Sequence, residues 1–215
     1  MNINNKFIIT INRELGSGGR TVGRKLAEKL NVPYYDKALA LALQKKYHLS
    51  SEELERLKGQ EQGWWAELKR TLAGPNSEDT FFVTEMGNEP EVLETEAVFR
   101  AETEILKAIA KEESCVIAGR SAFYVFRDHP NHLNILIQAS MPCRMARVAR
   151  EQNMSKEEAR LTIDKVDKMR ENYVNKFTRT SRYDSRNYQL VINMDELSEE
   201  GAVELILAYI KSMAA

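Results

Sequence analysis

The chain has only two cysteines in 215 residues, too few for a disulfide scaffold. No apolar run approaches the roughly 20 residues that cross a bilayer. The opening MNINNKFIITIN lacks the long apolar stretch followed by small residues that directs secretion. Neither sign of charge is in excess: 31 Lys and Arg stand against 32 Asp and Glu, a net charge of −1. A protein that grips a nucleic-acid backbone carries a clear basic surplus, so that class loses ground. Internal repeats and low-complexity segments are also missing. These absences predict a cytoplasmic protein with no membrane and no nucleic-acid partner. What is present is globular composition, 43% hydrophobic and 29% charged, over a length suited to a single domain with its own core.

The apolar pattern alternates short strands with helices. Residues 6–11 (KFIITI) form a β-branched and aromatic run that reads as a buried strand. The turn Gly16-Ser17-Gly18-Gly19 follows, then a helix over 20–30 with Val22, Leu26, Ala27 and Leu30 on one face. Tyr34 and Tyr35 fit a very short strand, and helices are predicted over 38–47 and 50–57. Segment 59–90, with Trp64, Trp65, Phe81 and Phe82 among glycines and prolines, lacks periodicity and reads as an insert. A helix over 91–113, strands over 115–118, 133–139 and 188–193, and helices over 141–152, 156–177 and 198–213 complete the pattern. Short apolar strands separated by helices predict an α/β fold, a parallel sheet covered on both faces. Ligands of such sheets bind beyond the carboxyl ends of the strands. That edge would gather the glycine turn, Gly119-Arg120 and the Arg144 region.

The glycine turn between strand and helix has the chemistry of a phosphate loop. Its N–H groups can point at one centre, and the helix N-terminus adds its own donors. Set against the pattern of Gly, four residues, Gly, Lys and Ser or Thr, the stretch Glu14 to Thr21 keeps Gly19 and Thr21. It has Glu14 for the first glycine and Arg20 for the lysine. Gly16, Ser17, Gly18, Gly19, Arg20 and Thr21 are therefore the candidates for holding a phosphate chain. Arg20 would neutralise terminal phosphate oxygens as a planar fork, and Thr21 would give a hydroxyl to Mg2+.

Several segments in order resemble the cytidylate kinase-like family of phosphate-loop kinases. They are ITINRELGSGGRTVGRKLAEKLNVPYYDK, VIAGRSAFYVFRDHPNHLNILIQASMPCRMARV and DKVDKMRENYVNKF with SRNYQLVINMDELSEEGAVELI. The resemblance implies a nucleoside monophosphate kinase-like fold with a five-stranded parallel sheet and a lid, here at about 155–186. It implies phosphoryl transfer from ATP to CMP or dCMP with magnesium, small-molecule nucleotides as partners, and leaves room for a homo-oligomer. Gly119 and Arg120 match the Gly-Arg of the family's acceptor motif, whose flanking carboxylates are Ala118 and Ser121 here. Arg144 and Arg147 match arginines directed at phosphates, and Asp164, Asp167 and Arg170 match the lid pattern. Asp36 matches the monophosphate region, where a glycine and a later arginine of the family are Ala38 and Ala42.

Phosphoryl transfer needs charge neutralisation and positioning more than a strong base. Arg20, Arg120, Arg144 and Arg170 are the catalytic candidates because guanidinium forks grip phosphate oxygens bidentately. Asp36, Gly119, Arg120, Arg147, Asp164 and Asp167 are the candidates on the acceptor side. By the residues alone, a solvated helix face for Arg144, Arg147 and Arg150 and surface ion pairs for Asp164, Asp167 and Arg170 are the favoured readings. His129 and His132 make an incomplete metal set, and Cys115 and Cys143 read as reduced packing residues. Two other readings stay open: a kinase for a different small acceptor, and a nucleotide-binding regulator without turnover.

Overall fold

The computed structural model describes residues 1–36, 96–119 and 121–213. They belong to two compact units, Met1–Tyr35 with Ala108–Ala215, and Asp36–Lys107. The predicted helices at 38–47 and 50–57, the aromatic segment 59–90 and Arg120 lie outside the described residues. Of the second unit, Asp36 and residues 96–107 are described. There an exposed pair, Arg100 Nη2 to Glu96 Oε1 at 2.7 Å, joins successive helical turns.

The chain runs β1 (Ile8–Arg13), α1 (Gly19–Leu30), β2 (Tyr34–Tyr35), α2 (Glu96–Glu112), β3 (Cys115–Ala118) and α3 (Ala122–Val125). It continues through β4 (His132–Gln138), α4 (Met141–Gln152), α5 (Lys156–Thr178), a 3-10 turn at Ser185–Asn187, β5 (Leu190–Asn193) and α6 (Glu199–Met213). The strands make one five-stranded sheet in the order β2-β3-β1-β4-β5, every pair parallel. This is the α/β fold of phosphate-loop kinases. No helix among the described residues is long and apolar enough to cross a membrane.

Alternation along the strands decides what each face carries. Ile9 and Ile11 of β1, with Leu133, Ile135 and Ile137 of β4, bury against Val22 and Leu26 of α1 and Val203, Ile206 and Ile210 of α6. Leu136 turns to the opposite face, among Phe123 of α3, Val174 of α5 and Tyr188. By the same period, Ile8, Thr10 and Asn12 share that opposite face. Carrying the alternation one step past Ile11 returns Arg13 to the face of α1.

The opposite face holds a buried polar set that needs internal partners. The Thr10 hydroxyl donates to Asn134 Oδ1 at 2.6 Å and lies 2.7 Å from His132 Nε2. Burial, and next the charge of His129, lower the His132 pKa from 6.5 to about 4, against a hydrogen bond to the Phe126 backbone. The unfolded chain therefore takes up this proton near pH 6.5, and the folded chain only near pH 4. Stability due to His132 is intact above that window and is lost as pH falls through it. At about pH 4.5 the expected loss is about 2 kcal/mol. Urea unfolding at about pH 7 and about pH 4.5 should show His132→Gln losing less stability than the native chain by that amount. Equal losses would remove His132 as the cause.

Candidate active site

β1 ends at Arg13, the chain bends through residues 14–18, and α1 begins at Gly19. Gly16 has φ +79° and Gly18 φ +81°, left-handed values that glycine adopts without a Cβ penalty. The Ser17 hydroxyl donates to the Glu14 carbonyl at 2.9 Å, which closes the bend. The first bond of the helical ladder runs from Val22 N–H to the Gly18 carbonyl at 3.1 Å. The N–H groups of Gly19, Arg20 and Thr21 thus precede the ladder, and the first turn holds no acidic residue. This is a cradle for an anion. Its register differs from the alignment made on sequence. The left-handed glycine that immediately precedes the helix is Gly18, and Gly19 is already the first helical residue. The position after that glycine, where the pattern has its lysine, therefore has no side chain.

Beneath the loop lies a buried charge cluster centred on Asp167 of α5. Asp167 Oδ1 accepts from Leu15 N–H at 3.1 Å, and Oδ2 takes Arg144 Nη2. Arg170 Nη1 and Arg182 Nη1 each stand 3.5 Å from Oδ1. Arg144 gives Nε to the Leu15 carbonyl at 2.8 Å and sets Nη1 3.2 Å from Glu14 Oε1. The other Glu14 oxygen accepts Ala139 N–H at 3.1 Å. Glu14 thus ties the loop to α4 and to the end of β4. Arg182, 1% exposed, reaches Asn12 Oδ1 at 3.2 Å and the Arg13 carbonyl. Tyr188 donates its hydroxyl to the Arg182 carbonyl at 2.6 Å, and burial pushes its pKa up to about 12. Arg147 lies over the loop itself. A methyl group on Gly18 would meet its guanidinium at 3.1 Å, and its Nη1 pairs with Glu199. That hydrogen bond holds the Glu199 carboxyl below its usual range, against partial burial.

A family model for the cytidylate kinase-like family matches residues 8–196. The chain belongs to the cytidylate kinase-like family. A crystal structure of an uncharacterized protein from Eubacterium ventriosum is 26% identical, with a TM-score of 0.66, covering 96% of this chain and 99% of that one. Shikimate kinase from Bacteroides thetaiotaomicron is 16% identical, with a TM-score of 0.50 and coverage of 95% and 98%. Shikimate kinase from Acinetobacter baumannii, solved with shikimate, is also 16% identical, with a TM-score of 0.51 and coverage of 97% and 94%. At that identity the two shikimate kinases share the fold alone. None of the curated proteins matches the chain.

Within this cytidylate kinase-like fold, Arg144, Asp167 and Arg170 converge under the loop, and Arg147 covers Gly18. Arg20 and Thr21 are half-buried in the first turn of α1. Asp164 is not in the buried cluster. It is exposed, with Arg160 Nε 3.9 Å away, and lines a cavity of about 260 Å³ beside Arg144 and Asp167. Gly119 ends β3 with φ +79°, and Asp36 directly follows β2 at the start of the second unit. The described residues contain no cluster of three or more His, Cys, Asp or Glu able to hold a metal. Magnesium held mainly by substrate phosphates needs few protein ligands; in the register of the structure the pattern's Ser or Thr position falls on Arg20, and Thr21 is the hydroxyl one residue further along α1. Sequence reasoning missed Asn12, Arg13, Arg182 and Tyr188. Alternation along β1 was the available signal for the first two. Nothing in the polar run TSRYDSRN distinguishes Arg182 from its neighbours.

Proposed function

We propose that this protein transfers the terminal phosphoryl group of ATP to a nucleoside monophosphate, CMP or dCMP, with magnesium, in the cytoplasm. The observation that carries the reading is the left-handed Gly16 and Gly18 bend opening onto an acid-free helix start, with the Arg147 guanidinium over it. The N–H groups of the bend and of the helix start up to Thr21 hold the phosphate chain, apart from that of Ser17, which donates to the Glu14 carbonyl at 3.3 Å and with its hydroxyl holds the loop's shape. Arg20, Arg120 and Arg170 meet the charge that spreads over the transferring oxygens. Thr21 is the hydroxyl that would hold magnesium, and the ion would supply charge neutralisation on the phosphates. Arg144 and Asp167 act one step back. Their donors and acceptors are directed at Leu15, Glu14 and each other, so they position the loop. Asp36, Gly119 and Asp164 belong to the acceptor side in this reading, as the family resemblance implies, and Arg147, over the loop, faces the phosphates that both substrates bring there.

A second acceptor class is favoured by two positions. Ala118 is fully buried in β3, and Ser121 is 3% exposed, where cytidylate kinases carry carboxylates beside Gly-Arg. Buried at these positions, an alanine methyl and a serine cannot supply a carboxylate acceptor to a base amino group. The deciding experiment measures ADP release from MgATP with CMP, dCMP, UMP, AMP and GMP, and then with non-nucleotide alcohols and acids. Turnover selective for CMP or dCMP is the expected result. Turnover only with other acceptors would replace the acceptor class, and tight ATP binding without turnover would leave a regulatory module.

A further inference from the structure

We propose that Arg13 supplies the cation of the phosphate loop, in place of the lysine that Gly19 cannot provide. The inference rests on the phosphotransferase reading and adds a residue to its site. Three observations lead to it. First, strand alternation puts Arg13, the last residue of β1, on the face of α1, directly above the start of that helix. Second, its side chain occupies the space that a residue at position 19 would need. A Cβ on Gly19 would lie 2.6 Å from Arg13 Cβ and 3.2 Å from its Cγ. The stem runs across Gly19, and the guanidinium reaches Gly119, where an added Cβ would overlap Nη1. Gly19 and Gly119 are the two glycines that make this path open. Third, Arg144, Arg147, Arg170 and Arg182 each have a carboxylate within ion-pair distance, and Arg13 has none among the described residues. A half-buried guanidinium with no counter-ion among the described residues, between an N–H cradle and the carboxyl end of β3, is suited to an anionic ligand.

The chemistry follows from the position. In this loop the residue after the left-handed glycine has no side chain, and the strand lends one from five residues before that glycine. A planar fork entering from the sheet side can bridge two phosphate oxygens, whereas a lysine entering from the helix would offer a point charge.

The test compares the affinity of the full chain for MgATP and for adenosine by calorimetry and competition. Arg13→Gln keeps the stem across Gly19 and removes the charge, while Arg13→Ala removes both. Expected is a tenfold or greater loss of ATP affinity in both variants with adenosine affinity unchanged, and partial recovery in Arg13→Lys. Equal ATP affinity in Arg13→Gln and the native chain overturns the assignment and leaves the phosphotransferase reading standing. Parallel loss of ATP and adenosine binding also overturns it, since misfolding or lost packing would weaken both. A native chain with no affinity for ATP removes the assignment together with the reading beneath it.

Discussion

Asp167→Ala is expected to lower the unfolding free energy by about 3–5 kcal/mol, the cost of leaving buried cations without their anion. The side chains of Arg144 and Arg182 are 6% and 1% exposed, and Asp167 is the carboxylate they share. Glu14 still reaches Arg144 after the substitution, but from Nη1 only. Arg182 retains the Asn12 amide oxygen and the Arg13 carbonyl, neither of which carries charge. The Leu15 N–H also loses its acceptor, so the loop loosens where the phosphates would sit. Asp167→Asn keeps an acceptor for that N–H and drops the charge, so its loss should fall between the native chain and the alanine variant. Urea unfolding of both variants checks the order. A loss for alanine within about 1 kcal/mol of the native value, typical of an exposed pair, would show that the cluster is not the anchor described here.

The pattern of strands and helices was legible because buried parallel strands and amphipathic helices carry strong local periods. The helix predicted at 141–152 coincides with Met141–Gln152, and the strand at 115–118 with Cys115–Ala118. The strand predicted at 6–11 is displaced to Ile8–Arg13, because Asn12 and Arg13 are polar for reasons of the site rather than of the sheet. The four-residue helix Ala122–Val125 is too short to show a period. The glycine loop could be read from composition, but its register could not. Which glycine is left-handed depends on where the helix starts, and Gly18 and Gly19 are chemically the same. The spacing of Asp167 and Arg170 was visible, whereas Arg182 and Asn12 meet across the sheet and loop from 170 positions apart. No local pattern encodes such a pair. The family resemblance implies a phosphate ligand at Arg144. Its depth, 5% exposed, and its three partners redirect it to holding the loop.

The loop's shape rests most heavily on Gly16, and Gly16→Ala should be the more damaging of the two loop substitutions. At φ +79° an alanine pays the left-handed penalty of about 1–2 kcal/mol. Its methyl group would also lie 2.7 Å from the Arg144 carbonyl oxygen and 2.9 Å from Val148 Cγ2. The first is backbone at the start of α4, in a residue whose guanidinium is tied to Leu15, Glu14 and Asp167, so it cannot retreat without breaking those contacts. Overpacking of this kind adds about 1–3 kcal/mol. Gly18→Ala shares the conformational penalty but meets only the end of the Arg147 side chain, at 3.1 Å, which can swing away. The expected order of stability in urea is therefore native, then Gly18→Ala, then Gly16→Ala, with the last about 2–5 kcal/mol below the first. ATP affinity should separate the two variants for a different reason. Gly18→Ala displaces Arg147 from above the loop and weakens binding while the fold survives. Gly16→Ala moves Leu15 and α4 together and damages both. A Gly16→Ala variant as stable as Gly18→Ala would mean that α4 yields freely, and the buried arginine cluster would then not be the rigid base on which the loop is built.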